Sequence, residues 1–340
     1  MRILVTGATG RVGSNLVKAL VERGDSVRSL VMPDDPKRSK LDGIDTEIVE
    51  GDLTDPESLD KAVAGVEAII HTACVMGRPE TMSREKYFDI NVKGMLFLLE
   101  AVRNHIDAIQ KFVYMSSDAI YPAAYAPLYT PVDERHPKLP NEEYGMIKRL
   151  DEEMLWTYRR ELDLPATIVR PGAIAACDEI LRGWNGALAV SLMKRAEKAK
   201  RGPLYIPGQK PYETIEKQAQ PLNSYAIIRD TEGKPWKWHK TDVRDVVHGT
   251  ICALDSDSAI GEDFNILGPC AIPFDEAVKY LAEKQGVSYI ECEAPVQWVY
   301  ECDITKARNM IGYRPQYDLY RMVDDALAFQ RGEDIGVIPA

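Results

Sequence analysis

The 340-residue sequence predicts an α/β fold, a doubly wound parallel sheet with helices on both faces, and a smaller, discontinuous C-terminal domain. Over the first half, short apolar runs alternate with helical stretches, as in right-handed βαβ units. This alternation stops after Pro171 and resumes near residues 241–267. We therefore assign residues 1–171 and about 241–267 to the first domain, and residues 172–240 and 268–340 to the second.

Six apolar runs are predicted to be strands of the first domain: Ile3–Thr6, Val27–Val31, Glu47–Val49, Ala68–His71, Lys111–Met115 and Ala166–Arg170. In the second domain, a helix is expected at residues 187–200, and a stretch rich in Pro, Gly and Gln follows at residues 202–221.

A glycine run, TGATGRVG at residues 6–13, lies between the first strand and a periodic apolar stretch. Such a turn needs positive φ angles and close backbone approach, and the helix that follows presents free N–H groups to an anion. The run therefore predicts a site for the pyrophosphate of a dinucleotide, although its G-x-x-G-x-x-G spacing differs from the common fingerprint. The predicted contacts here are Gly7, Gly10, Arg11, Val12 and Gly13.

The choice between NAD and NADP depends on the end of the second strand, where an acid or an arginine would contact the ribose. Val31 and Met32 occupy those places, so NAD is only slightly favoured. After the third strand, Asp52 and Leu53 could contact the adenine. Alternatively, Asp52 is a turn residue that caps the helix around Pro56.

Composition limits the function classes. With a net charge of −11 and 45% hydrophobic residues, the chain resembles a globular protein that binds neither nucleic acid nor a membrane. No long apolar stretch or signal peptide is seen, so a cytoplasmic location is expected. The six cysteines form no metal-ligand pattern, and no metal site is predicted.

Tyr144 and Lys148 are four residues apart in a predicted helix capped by Asn141, and therefore lie on one face. For proton transfer near neutral pH, the pKa of a tyrosine must fall by roughly 3 pH units, which a neighbouring ammonium group favours. The alternative is an inert surface pair.

Ser117 and Asp118 follow the fifth strand at the carboxyl edge of the sheet. Ser117 could polarise a substrate oxygen there; the alternative is an ordinary turn.

Taken together, these residues resemble the extended short-chain dehydrogenases, also called the NAD-dependent epimerase/dehydratase family. Further stretches are similar to motifs of that family: HTAC at 71–74, NVKG at 91–94, RPG at 170–172, DITKA at 303–307 and IGYRP at 311–315.

The resemblance implies a Rossmann domain that binds NAD or NADP, with further cofactor contacts from Ala73, Asn91, Tyr144, Lys148 and Pro171. It also implies a catalytic set in which Tyr144 is the acid/base, Ser117 polarises the carbonyl and Lys148 anchors the ribose. The substrate would contact Ser117, Asp118 and Tyr144. A homodimer is implied through the helices around residues 91–102 and 144–158.

The sequence departs from the family in three places. Ala119 replaces the glutamate that dehydratases carry after Asp118, which disfavours dehydration. Trp238 stands where nucleotide-sugar epimerases have a diphosphate-binding arginine, although Lys237, Lys240 or Arg244 could compensate. Residues 172–175 lack the asparagine of those epimerases.

We therefore predict an NAD(P)-dependent oxidoreductase or epimerase that acts at a secondary alcohol or ketone of a sugar-like substrate. A nucleotide-sugar 4-epimerase of the UDP-sugar type remains an alternative, as does a non-catalytic dinucleotide sensor on the same fold. The segment 208–240 is expected to shape the substrate pocket.

Overall fold

A computed structural model describes residues 1–122 and 127–340 of the chain. The strands are β1 (Arg2–Thr6), β2 (Ser26–Val31), β3 (Glu47–Glu50), β4 (Ala68–His71), β5 (Lys111–Met115), β6 (Ala166–Pro171), β7 (Ile174–Ala175), β8 (Ala226–Arg229), β9 (Lys237–Trp238), β10 (Thr241–Asp242), β11 (Asp263–Ile266), β12 (Ile272–Pro273), β13 (Ile290–Glu293) and β14 (Val299–Tyr300).

The α-helices are α1 (Arg11–Glu22), α2 (Pro56–Val63), α3 (Arg84–Phe88), α4 (Gly94–Asn104), α5 (Glu143–Leu162), α6 (Gly186–Ala199), α7 (Pro211–Gln218), α8 (Val243–Asp255), α9 (Phe274–Gln285), α10 (Thr305–Met310) and α11 (Leu319–Gln330). A π-helical turn at Asp89–Lys93 leads directly into α4.

The main sheet has seven strands in the order β11-β6-β5-β4-β1-β2-β3, all parallel. Its central strands β1, β4 and β5 are almost entirely buried, which is expected for a parallel sheet covered on both faces. The strand order reverses between β1 and β4, so a crevice for ligands opens at their carboxyl ends. The predicted doubly wound fold is therefore confirmed, and the six predicted strands agree with the observed ones within one residue.

Three smaller sheets lie C-terminal to β6. They pair β7 with β10, β8 with β13, and β9 with both β12 and β14. An aromatic cluster fills the space beside β9; its members are Trp184, Trp236, Trp238, Phe274 and Trp298. Trp236 is fully buried, and its indole N–H donates to the Val296 carbonyl at 2.9 Å, so it belongs to the core.

Two local expectations need correction. Asn141 does not cap α5, because the helix begins one residue later than expected and Glu142 is its N-cap, without a side-chain hydrogen bond. Asp52 does not cap α2 either, since Asp55 accepts a hydrogen bond from the Glu57 N–H and takes that role. In addition, the Pro- and Gly-rich stretch contains α7, which starts at Pro211, a residue that suits the first helical position.

Candidate active site

The glycine run forms a tight cradle at the carboxyl end of β1. Gly7 has a φ of +67°, and the Gly10 N–H donates to its carbonyl at 2.9 Å. A Cβ atom on Gly13 would lie 2.0 Å from the Gly7 carbonyl oxygen, and one on Gly7 would lie 2.7 Å from the Ala73 nitrogen. Glycine is therefore required at both places, because any side chain would push the cradle apart.

The N-terminus of α1 opens into this cradle, with Arg11 and Val12 as its first residues. Val12 is buried, whereas the Arg11 guanidinium forms an ion pair with Glu179 at 2.6 Å. The Nε atom of Arg11 is enclosed without a hydrogen-bond partner among the described residues. Free N–H groups, a helix dipole and a cation together fit the pyrophosphate of a dinucleotide.

A carboxylate lies next to the cradle on the side of β2. Asp35 accepts a hydrogen bond from the Thr9 hydroxyl at 2.6 Å, which fixes it beside the glycine turn. Lys40 lies nearby, and its ammonium group is enclosed without a partner among the described residues. The sequence did not show that these side chains lie near the cradle, because Asp35 follows β2 in a turn and Lys40 lies in a short 3₁₀-helix at Arg38–Leu41.

The other predicted cofactor contacts lie along the same edge. Asp52 accepts hydrogen bonds from the backbone and hydroxyl of Thr54, while the Leu53 side chain is buried. Pro171 ends β6 at the carboxyl edge.

Asn91 is buried beside the loop after β4. It accepts from the Val75 N–H at 2.8 Å and donates to the Tyr87 carbonyl at 3.0 Å. Its amide therefore holds the loop that carries Ala73, and a contact of Asn91 with the cofactor stays a prediction.

The residues predicted to be catalytic are brought together by a close helix contact. A Cβ atom on Gly145 would lie only 2.1 Å from the Ala119 carbonyl oxygen, so its absence lets α5 pack against the turn after β5. Tyr144 consequently lies beside Ser117, whose hydroxyl donates to Asp118 at 3.0 Å. The sequence signal for this contact was the glycine directly after the tyrosine.

Lys148 lies one turn further along α5 and is buried. Its ammonium group donates to the Met115 carbonyl at 2.7 Å and lies 6.0 Å from the centre of the Tyr144 ring. The predicted common face is therefore confirmed.

Burial raises the pKa of Tyr144 above its usual value, and hydrogen bonding with Ser117 opposes this only in part. The expected lowering is thus absent from the protein alone. A tyrosine in this surrounding holds its proton at neutral pH unless a further positive charge comes close.

The carboxylate of Asp118 lies close to Gly172 and Tyr300. A Cβ atom on Gly172 would lie 2.4 Å from the Asp118 carboxylate and 2.8 Å from the Tyr300 hydroxyl, so these three residues meet closely. Burial raises the pKa of Asp118 to about 6, while its bond from Ser117 lowers it.

A cation lies at the end of the long 208–240 segment. Lys240 is 7% exposed, and its ammonium group lies 4.2 Å from the centre of the Trp238 ring. No ion pair or hydrogen bond joins this ammonium group to another described residue. Burial lowers its pKa to about 8, while the charge of Glu179, which is paired with Arg11, raises it. Arg244, by contrast, is paired with Asp242 and Asp325.

A buried ion-pair network joins α5, which carries Tyr144 and Lys148, to the main sheet. Arg170 is fully buried and forms two hydrogen bonds to Glu152, both at 2.8 Å. It also contacts Asp263 and the Tyr121 hydroxyl, so α5, β6 and β11 are joined at one point.

Over residues 1–122 and 127–340, no cluster of His, Cys, Asp or Glu is arranged to bind a metal, and the six cysteines are unpaired. None of the helices in these two ranges is both long and apolar enough to cross a membrane.

Comparison with known proteins shows the family to which the chain belongs. The model of the NAD-dependent epimerase/dehydratase family matches residues 3–266, and the chain therefore belongs to that family. A short-chain dehydrogenase/reductase superfamily protein from Agrobacterium tumefaciens, solved with bound NAD, is 28% identical, with a TM-score of 0.79 over 98% of each chain.

Among curated proteins, the chain is 35% identical to sterol demethylase protein B of Methylococcus capsulatus over 51% of its own length and 52% of that protein. It is 31% identical to a putative UDP-glucose 4-epimerase of Methanocaldococcus jannaschii, over 56% of this chain and 62% of that protein. These alignments thus span between half and two thirds of the length of either relative.

Proposed function

We propose that the protein is an NAD(P)-dependent oxidoreductase or epimerase that acts at a secondary alcohol or ketone of a sugar or sugar-like substrate. The observation that carries this proposal is the placement of Ser117, Tyr144 and Lys148 at the carboxyl edge of the sheet that also forms the glycine cradle. A non-catalytic dinucleotide sensor would not need all three residues.

In this function, Tyr144 exchanges a proton with the substrate oxygen, and the Ser117 hydroxyl donates a hydrogen bond to the same oxygen. Lys148 adds positive charge and contacts the nicotinamide ribose. The bound dinucleotide supplies the hydride acceptor or donor. The protein holds it through Gly7, Gly10, Arg11, Val12, Gly13, Asp52, Leu53, Ala73 and Pro171.

NAD is the proposed cofactor, with NADP as the alternative. The carboxylate of Asp35 beside the cradle would bind ribose hydroxyls and repel a 2′-phosphate. Lys40 lies on the same side and would attract that phosphate, so both dinucleotides need to be compared directly.

We also propose that residues 1–171 and about 241–267 form the cofactor domain, while 172–240 and 268–340 bind the substrate. The packing of Asp118 against Gly172 and Tyr300 supports this division, because it places parts of both domains around one site.

A direct assay tests the proposed function. NAD or NADP is mixed with free sugars, sugar acids, sugar nucleotides and a 3β-hydroxysteroid, and NAD(P)H absorbance is followed with product analysis. We expect a sugar substrate either to reduce the cofactor or to be epimerised without net reduction. Turnover of the steroid alone, or of none of the compounds, would contradict the proposal.

Lys240 indicates that the substrate carries an anionic group, either a carboxylate or a phosphate. A buried ammonium group without its own partner is costly unless a ligand neutralises it. We expect Lys240→Met to raise KM for the anionic substrate by about 10²-fold, as for loss of a buried charge pair. Lys237→Met, three residues earlier, is the matched control. Equal effects of the two variants, or a preference for neutral sugars, would exclude this role.

A homodimer is proposed through α4 and α5. These helices expose large apolar side chains: Leu96 and Leu150 are each 38% exposed and Met146 is 44% exposed. Burial of such residues against a second copy would remove them from water.

Leu150→Arg places a charge on that surface and is expected to convert a dimer into a monomer, as measured by light scattering. Val287→Arg, at an exposed apolar residue far along the chain, should leave the mass unchanged. A monomeric wild-type protein would contradict the proposed dimer.

A further inference from the structure

A second carboxylate lies behind the catalytic set. Asp151 is on α5, one turn after Lys148, and is 3% exposed. Its Oδ2 atom accepts a hydrogen bond from the Tyr114 hydroxyl at 2.7 Å. Its Oδ1 atom is enclosed without a hydrogen-bond partner among the described residues. A charged carboxylate in such a place is only half satisfied.

Tyr114 connects this carboxylate to Lys148. The Lys148 ammonium group lies 4.8 Å from the centre of the Tyr114 ring, whose hydroxyl is bonded to Asp151. His71 stacks on the Tyr114 ring, with 5.7 Å between ring centres. Asp151, Tyr114 and Lys148 therefore share one enclosed space on the side of α5 that faces the sheet.

The remaining titratable groups around this space do not neutralise Asp151. Burial lowers the pKa of His71 to about 3, so it is uncharged, and burial raises the pKa of Cys74, so it remains a thiol. The neighbouring Glu152 is bonded to Arg170. Lys148 is thus the cation that acts on Asp151. Its ammonium group also lies 6.0 Å from the centre of the Tyr144 ring. Burial raises the pKa of Tyr144, and the charges of Asp118 and Asp151 raise it further.

We infer that Asp151 is a positioning residue for proton transfer, whose charge sets how much of the positive charge of Lys148 acts on the Tyr144 hydroxyl. This inference rests on the proposed role of Tyr144 as the acid/base. When Asp151 is ionised, its negative charge opposes that of Lys148 and raises the pKa of Tyr144. When Asp151 is protonated, the charge of Lys148 acts without this opposition.

Burial raises the pKa of Asp151 to about 7, while the charge of Lys148 and the bond from Tyr114 lower it. Its charge therefore changes within the pH range in which the protein would work, so the tyrosine is less activated at the alkaline side of that range.

The test is Asp151→Asn, which keeps the shape and removes the charge. For alcohol oxidation, Tyr144 must lose its proton, so kcat/KM rises with pH through the apparent pKa of Tyr144. This rising part of the pH profile of kcat/KM is its acid limb. Loss of the opposing carboxylate should move the acid limb to lower pH by roughly 0.5–1 pH unit.

Tyr114→Phe is a second variant with the same expected sign. Without the hydroxyl donor, the charged form of Asp151 loses stabilisation, its pKa rises and it remains neutral over a wider range. Glu153→Gln removes an exposed carboxylate from the same helix and should leave the limb in place. An unchanged limb in both Asp151→Asn and Tyr114→Phe would overturn the inference.

Two spectroscopic readouts do not depend on turnover. Infrared spectra of the protein should show the C=O stretch of a protonated carboxyl that titrates near neutral pH and is absent from Asp151→Asn. With NAD bound, the tyrosinate absorbance of Tyr144, identified by difference from Tyr144→Phe, should titrate at lower pH in Asp151→Asn.

If the wild type turns over none of the compounds, the proposed function fails, and the tyrosinate titration alone decides the role of Asp151. An unchanged titration, or no carboxyl band that Asp151→Asn removes, would reject that role even in an active enzyme.

Discussion

Replacing Tyr144 by phenylalanine is expected to lower kcat by about 10²–10⁴-fold, the usual contribution of a general acid or base. The variant keeps the ring beside Ser117 and Lys148 and removes only the hydroxyl group that exchanges the proton. Since burial raises the pKa of Tyr144, the hydroxyl group keeps its proton at neutral pH in the protein alone. The loss should appear in kcat at saturating cofactor.

The matched measurement is cofactor affinity, which should change little because the glycine cradle is untouched. Tyr289→Phe, which removes a hydroxyl group from an exposed side chain outside the 208–240 segment, is a control for the chemical change itself. Turnover that survives in Tyr144→Phe would reject the assignment of the acid/base. A loss of NAD binding equal to the loss of kcat would show instead that the residue serves the cofactor.

Replacing Arg170 by leucine is expected to destabilise the protein by about 3–5 kcal/mol, because it leaves buried carboxylates without their cation. Glu152 is 2% exposed and receives two hydrogen bonds from Arg170. Asp263 loses the same partner, although Lys306 still contacts it at 2.9 Å. The change in the free energy of unfolding is measured by urea titration at neutral pH.

Arg103→Leu is the control, since Arg103 and Glu161 form an ion pair in which both side chains are at least one third exposed. Such surface pairs contribute at most about 1 kcal/mol. If both variants lose the same small amount, the network around Arg170 does not stabilise the joint between α5, β6 and β11 as inferred.

The fold was predictable because its signals are local. The central strands β1, β4 and β5 are short, largely apolar runs, and burial on both faces of a parallel sheet demands such runs. The start of α5 was predicted less well. Asn141 is a good capping residue by type, but the chain remains extended through Glu142, so the helix starts beyond its reach.

The order of the site residues was predictable, but their surroundings were not. Asp151 differs in no local way from other acids on α5, and only the packing of that helix against β5 buries it beside Tyr114. Lys240 was one of three cations that could bind a substrate anion. The structure distinguishes them, because Arg244 is paired with carboxylates, Lys237 is partly exposed and Lys240 is buried.

The pKa of Tyr144 also depends on surroundings that the sequence does not reveal. The spacing to Lys148 predicts attraction between a cation and a phenolate, and this geometry is observed. The spacing does not reveal how much water is excluded, and that exclusion determines the direction of the change.

The close contact of Gly145 with Ala119 also matters for engineering. A methyl group there would be forced into a backbone carbonyl 2.1 Å away, so position 145 accepts no larger residue. Trp238 and Lys240, by contrast, contact each other through their side chains. Libraries aimed at new substrates should therefore keep Gly145 and begin with side-chain positions such as Trp238.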